Sequence, residues 1–265
     1  MPTVPTPFTI ILLGAGRVAS QLAPALASAG HRLAAVWSRH EASARAVAAP
    51  LGGAVLSGPA PDFTALPSAD LYLLAVPDHA APAVISAARF PAGALVAHTS
   101  GALPLALFAA QPAVRGGVFY PLQTFSPGRV IDWPAVPMCL EAADEAGMHT
   151  LTAVAHTLSQ RVLAVGSAQR QQLHVAAVFA SNFTNHLLGL ADALLSEARL
   201  PADLLHPLVR ETVGKALANP PFSVQTGPAV RHDEATIATH LAALAAHPSW
   251  QTLYAQLTAS IQAVS

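Results

Sequence analysis

A glycine turn near the start of the chain limits the possible folds more than any other feature. The β-rich run Thr9 to Leu13 ends in the segment Gly14-Ala15-Gly16-Arg17-Val18-Ala19, and apolar residues then recur at helical spacing. This order of strand, G-x-G-x-x-A turn and helix is typical of the first βα unit of a dinucleotide-binding domain. We expect Gly14 to permit the tight turn, Gly16 to admit a phosphate, and Ala19 to let the helix pack closely on the strand.

The helix after this turn offers unpaired amides and a positive dipole end, which together favour a pyrophosphate. We predict that a cofactor contacts the turn residues and the end of a neighbouring strand, namely Gly14, Ala15, Gly16, Arg17, Val18, Val76 and Pro77. The alternative is a glycine-containing βα turn that holds no ligand.

The residues at the end of the second strand distinguish between the two nicotinamide cofactors. NAD-binding domains usually place an acidic residue there, about 20 residues after the glycines, to hold the ribose 2′-hydroxyl. This chain has Ser38 and Arg39, which suit a 2′-phosphate, whereas the nearest acid, Glu41, is expected in the first turn of the next helix. The sequence therefore predicts NADP(H), with NAD less favoured. The alternative for Arg39 is an ordinary solvated arginine.

Strand and helix patterns alternate along the first 166 residues. Further strand signals are Leu33 to Trp37, Leu71 to Val76, Ala94 to His98, Val118 to Tyr120, Met138 to Leu140 and Val162 to Val165. This alternation predicts an α/β fold of the Rossmann type, a doubly wound parallel sheet covered on both faces.

After Gly166 the strand signals stop, and the remaining sequence predicts three or four helices broken by Pro201, the Pro220-Pro221 pair and Pro248. We therefore predict an NADP-binding domain over residues 1–166 and a smaller all-α domain over residues 167–265.

Composition excludes several classes of function. The chain of 265 residues is 53% hydrophobic and only 10% charged, with a net charge of −1, so it lacks the positive field that a nucleic-acid partner requires. The single cysteine, Cys139, excludes internal disulfides and Cys-based zinc sites, and the twelve histidines show no metal-binding spacing. No run approaches the roughly 18 apolar residues of a membrane span, and Met1 to Phe8 lacks a secretory pattern. We expect a cytoplasmic protein without a membrane partner.

The ends of two parallel strands supply further candidates, because ligands bind outside the carboxyl ends of such strands. One end is Ala75-Val76-Pro77-Asp78 and the other is His98-Thr99-Ser100-Gly101. Ser100 either contacts the nicotinamide ribose or the substrate, or it caps the helix expected near Leu103.

Residues 169–196 form the longest uninterrupted helical pattern. At about 100° per residue, one line collects Arg170, His174, Ser181, Asn185 and Asp192, with Asn182 beside it. No charged residue lies between Arg170 and Asp192, which favours a cleft or a subunit contact over a solvated face.

The loop Thr226 to Asp233 is a third candidate. Arg231 on this Gly-Pro loop suits a carboxylate or phosphate of the substrate, although it can equally pair with Asp233 or with a neighbouring subunit. Asp233 itself is a good N-cap for the helix that follows.

Four of these segments together resemble a bacterial family of Rossmann-like proteins whose NADP oxidoreductase activity is inferred and whose helical C-terminal domain has no assigned function. They are His98 to Gly101, Tyr120 to Phe125, His174 to Asn182, and Thr226 to Asp233. The resemblance covers nearly the whole chain and extends distantly to ketopantoate reductase and pyrroline-5-carboxylate reductase. It implies a C-terminal domain like that of 6-phosphogluconate dehydrogenase, which in the wider group closes the active site and commonly forms a homodimer.

One departure from these relatives concerns the proton donor. Several of them, the 3-hydroxyacid dehydrogenases among them, use a lysine on the first long helix of the second domain, with an asparagine one turn later. This helix has no lysine, and Lys215 is the only one in the protein. His174 occupies a comparable place, and Asn182 follows about two turns later. Histidine suits proton exchange near neutral pH.

The sequence thus favours an NADP(H)-dependent oxidoreductase that transfers a hydride to or from a small carbonyl or imine substrate. His174 is expected to relay the proton, Asn182 to orient the substrate, Ser100 to line the site, and Arg231 to bind a substrate anion. The alternative is a non-catalytic dinucleotide-binding regulatory or scaffold protein.

Overall fold

The first part of the molecule is an eight-stranded sheet with helices on both faces. The structure, a computed structural model, describes residues 7–264. The strands are β1 Thr9–Leu13, β2 Arg32–Ser38, β3 Ala54–Ser57, β4 Leu71–Leu74, β5 Leu95–His98, β6 Arg115–Pro121, β7 Met138–Ala142 and β8 Val162–Ala164. The helices among them are α1 Arg17–Ser28, α2 Glu41–Ala48, α3 Ala81–Ala87 and α4 Glu145–Leu158.

The strand order is β3-β2-β1-β4-β5-β6-β7-β8, and every neighbouring pair is parallel except β6 and β7. The order reverses at β1, which lies between β2 and β4. In sheets of this kind ligands bind at this point, outside the carboxyl ends of the strands. The predicted Rossmann-type fold is confirmed, although β7 and β8 run antiparallel to the other six strands.

Both faces of the sheet are covered, as the continuous apolar strands predict. Ile10 and Leu12 pack into one core together with α1 and α4, whereas Ile11 and Leu13 pack into the other. All four of these side chains are almost completely buried, because successive residues of a strand point to opposite faces. The sheet is therefore a buried central layer, and only its edges and strand ends are available for function.

The rest of the chain is helical. The helices are α5 Ser167–Ala177, α6 Thr184–Glu197, α7 His206–Ala218, α8 Glu234–Ala243 and α9 Pro248–Gln262, with a π-helical segment over Val178–Phe183. The prolines act as predicted, since α6 and α7 end before Pro201 and Pro220 and Pro248 begins α9. Within residues 7–264 no helix combines the length and the apolar character that crossing a membrane requires.

Three features differ from the sequence prediction. Five α-helices, α5 to α9, follow residue 166 in the described chain, where three or four were predicted. β3 was not predicted, because its four residues at the sheet edge give too short a signal. β4 ends at Leu74, two residues before the predicted end.

The change from strands to helices falls between Ala164 and Ser167, whereas the two compact units of the chain divide between Ser181 and Asn182. The domain boundary at residue 166 stays a prediction.

Candidate functional site

The glycine turn has the geometry that a dinucleotide-binding loop requires. Gly14 adopts a φ of +115°, and a Cβ there would lie 2.4 Å from the carbonyl oxygen of Ala75. The Gly14 amide donates to the carbonyl oxygen of Trp37 at 2.7 Å, so the turn is held against the ends of β2 and β4. Only glycine fits this position, for reasons of both space and backbone conformation.

Gly16 differs from Gly14 because the space beside it is open. A Cβ at Gly16 would meet nothing within 4 Å, which leaves room for a group to approach the backbone closely. No side chain caps α1, no acidic residue lies in its first turn, and its first hydrogen bond runs from the Ser20 amide to Gly16. Among residues 7–264 the amides of residues 17–19 therefore have no acceptor, and they form a ready anion site. Ala19 is fully buried against the sheet, as predicted.

The end of β2 carries a free positive charge. Ser38 is its last residue, and Arg39 is exposed and forms no ion pair with any residue from 7 to 264. Glu41 lies in the first turn of α2, as predicted, where it pairs with Arg45. The nearest acid is therefore engaged elsewhere, and Arg39 remains available to an anion.

The end of β4 adjoins the glycine turn, because β4 is the neighbour of β1 in the sheet. The position of a Gly14 Cβ lies 3.1 Å from Cγ1 of Val76, and Pro77 follows as the cap of a short 3-10 turn. Val76 therefore lies beside the glycine turn, and the cofactor contacts of Val76 and Pro77 stay predictions.

Ser100 shapes the turn after β5. Its Oγ accepts hydrogen bonds from the amides of Ala102 and Leu103, at 3.0 and 3.1 Å. Of the two roles expected for Ser100, the structure shows the one in which its hydroxyl caps backbone amides. These amides belong to a turn, because the next helix, a 3-10 helix, begins only at Leu105. Its hydroxyl proton has no acceptor among the described residues, so it can still donate to a ligand.

The strand ends also bring together a tyrosine and a histidine. The hydroxyl of Tyr120, at the end of β6, lies 3.3 Å from Nδ1 of His174 on α5. The two rings meet edge to face with centroids 6.2 Å apart. A Cβ on Gly101 would lie 2.6 Å from that Nδ1 and 2.9 Å from the hydroxyl. Gly101, Tyr120 and His174 therefore form one close cluster.

A buried ion pair fixes α5 next to this cluster. Arg170 is 1% exposed and donates to Glu141 on β7 at 2.5 Å and to the carbonyl oxygen of Leu103 at 2.6 Å. Ser167 also donates to Glu141, at 2.7 Å. Burial raises the pKa of Glu141, but the hydrogen bonds from Arg170 and Ser167 outweigh it and lower the pKa overall. Arg170 is therefore a buried anchor for α5, whereas its place on the polar line predicted a residue of a cleft or of a subunit contact.

Burial also sets the charge states near the cluster. Desolvation lowers the pKa of His98 to about 4, with a further contribution from the positive charge of Arg170. Desolvation raises the pKa of Tyr120 to about 12, and the Asp78 carboxylate acts in the same direction. At neutral pH the side chains of His98 and Tyr120 are therefore both uncharged.

The predicted polar line on the long helix does not persist. The π-helical segment Val178–Phe183 interrupts it, and a π turn contains more residues than an α turn, so the 100° spacing fails across it. The 100° spacing therefore does not show that Asn185 and Asp192 lie on the same helix face as His174. Asn182 is exposed within the π segment and belongs to the compact unit that begins there, and its role stays a prediction.

The loop before α8 holds Arg231 by itself. Arg231 is exposed and forms no hydrogen bond with any residue from 7 to 264 through its side chain. Asp233 caps α8 as predicted, because it accepts from the Thr236 amide at 3.1 Å and from the Thr236 hydroxyl at 2.8 Å. Pairing of Arg231 with Asp233 is thus not observed, and its anion-binding role stays a prediction.

Sequence reasoning missed two parts of this site. Glu141 gave no signal, because one glutamate at the end of a short strand has many possible partners. The contact of Tyr120 with Gly101 and His174 was also missed, although Gly101 follows one predicted strand and Tyr120 ends the next. Adjacent parallel strands bring their ends together, and that rule applied to β5 and β6 was the available signal.

Two family models match the chain in succession. A Rossmann-like domain matches residues 4–123, and a domain of unknown function (DUF2520) matches residues 136–261. Among curated proteins, none matches this chain.

Three solved structures illustrate the similarity. A Bacteroides fragilis protein inferred to be an NADP oxidoreductase is 39% identical, with a TM-score of 0.84, over 97% of this chain and 98% of its own. The reductive aminase of Aspergillus terreus, solved with NADPH and ethyl-5-oxohexanoate, is 18% identical with a TM-score of 0.65 over 97% and 92%. The 1-pyrroline-5-carboxylate reductase of Streptococcus pyogenes is 11% identical with a TM-score of 0.56 over 97% and 98%. The last two likenesses concern the fold alone.

Proposed function

The chain belongs to the family of Rossmann-like proteins that carry the DUF2520 domain, and we propose that it is an NADP(H)-dependent oxidoreductase acting on a small carbonyl or imine compound. The observation that carries this proposal is the glycine turn, which is closed against β4 at Gly14 and open at Gly16 before an uncapped helix. The inferred NADP oxidoreductase activity of the Bacteroides fragilis relative supports the same cofactor class.

The residues present fit such a cofactor at its pyrophosphate. The open space beside Gly16 and the unpaired amides of residues 17–19 suit two phosphates, and Ala15, Arg17 and Val18 line the same turn. Val76 and Pro77 border the turn from β4. When bound, the nicotinamide ring supplies or accepts the hydride.

Arg39 supports NADP(H) over NAD(H). An exposed guanidinium without an ion pair can bind a 2′-phosphate by charge-assisted hydrogen bonds, and Ser38 adds a hydroxyl donor. The usual acid that would repel this phosphate is missing, since Glu41 lies in α2 and pairs with Arg45.

The substrate end of the site would be formed by a hydroxyl and an imidazole, two groups that can donate and accept protons. In this proposal His174 relays a proton to or from the substrate, and Ser100 lines the site from the end of β5. The sequence adds Asn182 as a group that orients the substrate and Arg231 as a ligand for a substrate anion.

The proposal includes a homodimer formed through the helical region. In the described chain, α6 and α7 have no buried residue, although both are rich in leucine. Leu208 is 61% exposed and Leu217 is 85% exposed. Apolar surface of this extent is typical of an interface, and a second copy of the chain is the proposed occupant. Light scattering of the purified protein measures its mass, and a monomer at micromolar concentration would contradict this part.

The first experiment titrates the protein with NADPH and NADH and compares Arg39→Gln with the parent. We expect tighter binding of NADPH, and loss of about tenfold or more of that preference in the variant, as for a charge-assisted hydrogen bond. The matched control is Arg89→Gln, which removes an exposed arginine that pairs with Asp62 and should leave the preference unchanged. Absence of binding to either nucleotide would overturn the proposal.

The second candidate function is the non-catalytic dinucleotide-binding protein. The absence of a lysine from α5 favours it, because the only lysine of the chain is Lys215 on α7. NADPH oxidation with a panel of small aldehydes, ketones and cyclic imines separates the two functions. Tight NADPH binding without turnover of any compound would support the second.

A further inference from the structure

The hydrogen bond between Tyr120 and His174 joins a buried residue to a half-buried one. Tyr120 is 8% exposed, and its ring packs among Val118, Cys139 and Leu173. The hydroxyl has one partner among the described residues, Nδ1 of His174 at 3.3 Å. The phenol is thus held by packing on one side and by one imidazole nitrogen on the other.

Gly101 makes this contact possible. A side chain at this position would begin 2.6 Å from Nδ1 of His174, 2.7 Å from Cζ of Tyr120 and 2.9 Å from its hydroxyl. These distances are far below ordinary van der Waals contact, so even alanine would separate the two rings. The backbone at the end of β5 therefore closes over the hydrogen bond that links the end of β6 to α5.

The two nitrogens of His174 have different environments. Nδ1 faces the Tyr120 hydroxyl, whereas Nε2 has no hydrogen-bond partner among residues 7–264. When the phenol donates to Nδ1, the neutral imidazole carries its proton on Nε2. Arg170, one turn earlier on α5, fixes the backbone of this helix through Glu141 and Leu103.

We infer that Tyr120 holds His174 so that Nε2–H faces a carbonyl oxygen of the substrate, and that it replaces the proton that His174 gives to that oxygen. The inference rests on the proposed oxidoreductase function and names the atom that exchanges the proton. It also selects between the two substrate classes. An imine is reduced as its iminium ion, which already carries its proton, so a proton relay of this kind serves a carbonyl.

The proton transfer balances with water as the final source of the proton. After hydride addition to the carbonyl carbon, the substrate oxygen is an alkoxide and takes the proton from Nε2 of His174. Nδ1 takes the phenolic proton of Tyr120 in the same step, so the imidazole stays neutral and its tautomer changes. Tyr120 is left as tyrosinate, which water reprotonates. In oxidation the same protons move in the reverse direction.

The test observes the pair directly in the free protein by NMR. The chain contains only three tyrosines, Tyr72, Tyr120 and Tyr254, so labelling with ¹³Cζ-tyrosine gives three signals. Tyr120→Phe removes and thereby assigns one of them. We expect His174→Gln to shift the Tyr120 signal, and Tyr120→Phe to move the ¹⁵N signals of His174 away from the Nε2–H tautomer.

A second tyrosine and histidine pair provides the matched control. The Tyr254 hydroxyl lies 2.8 Å from Nδ1 of His240, also edge to face. His240→Gln should shift only the Tyr254 signal. With the aldehyde and ketone panel, Tyr120→Phe should lower kcat by about tenfold to a hundredfold with KM and NADPH affinity unchanged, whereas Tyr254→Phe should leave kcat unchanged.

Three results would overturn the inference. The first is a Tyr120 signal that does not shift in His174→Gln. The second is a kcat that Tyr120→Phe leaves unchanged for the carbonyl substrates, and the third is turnover of imines alone. A failure of the proposed function can be distinguished from these results. The parent protein would then bind no NADPH, while His174→Gln would still shift the Tyr120 signal.

Discussion

The sheet and the helical region bury their apolar residues to very different degrees. Within the described chain, β4 and β5 are buried at every position, whereas α6 and α7 contain no buried residue at all. The sheet and the helices that cover it form two buried hydrophobic cores within one chain, so its stability is not expected to require a partner. The helical region leaves much of its leucine surface uncovered, which is why its stability is expected to depend on a partner.

Ion pairs follow the same division. The sheet unit contains a buried pair, Arg170 and Glu141, with side chains 1% and 19% exposed. It also contains a far more exposed pair, Arg115 and Asp144, at 34% and 40%. In the helical region Glu197 instead forms a hydrogen bond with His247, and their side chains are 53% and 26% exposed. A buried charge without its partner is costly, whereas a surface charge is hydrated, so the two kinds of pair should respond very differently to mutation.

The largest effect is expected for Arg170→Met, which leaves the Glu141 carboxylate partly buried without its cation. The free energy of unfolding should fall by about 3–5 kcal/mol, as for other broken buried pairs. Arg115→Met, which breaks the exposed pair, should cost only about 0.2–1 kcal/mol. Urea unfolding followed by tryptophan fluorescence measures both, and equal losses would show that burial of the first pair does not matter.

The next effect concerns pH and the buried His98. Its pKa is about 4 in the folded chain and about 6.5 in the unfolded chain, so only the unfolded chain takes up the proton between these values. The stabilisation is complete above pH 6.5 and is lost as the pH falls towards 4, by about 3 kcal/mol. In His98→Asn, whose side-chain oxygen takes the place of Nδ1 and can still accept from the Ser100 amide, this part of the pH dependence should disappear. Unfolding curves at pH 7 and pH 4.5 measure it, and an unchanged slope would contradict the assignment.

The smallest effects compare two glycines and should have opposite signs. Gly101→Ala places a Cβ against Tyr120 and His174 and should cost about 1–3 kcal/mol. Gly189→Ala in α6, where a Cβ would meet nothing within 4 Å, should stabilise the helix by about 0.5–1 kcal/mol. Thermal unfolding measures both changes. A loss at Gly189 would show that its surface is covered in solution, which would sharpen the proposal of a second copy there.

The sequence alone determined the class of fold, the glycine turn and the free arginine that follows β2. Each of these depends on residues close together in the chain: alternating apolar runs, the spacing of Gly14 and Gly16, and prolines that end helices. Such signals act within one strand or one helical turn, so they do not require knowledge of which strands are neighbours.

Only the tertiary structure decided which side chains meet. Tyr120 and His174 are 54 positions apart, and Arg170 and Glu141 are 29 apart, so their contacts follow from the strand order and the docking of α5. The π-helical segment has the same origin, since its sequence gives no signal against a regular α-helix. Packing selects one arrangement among many that the local patterns allow, and for this reason the contact of His174 with Tyr120 could not be derived from the sequence.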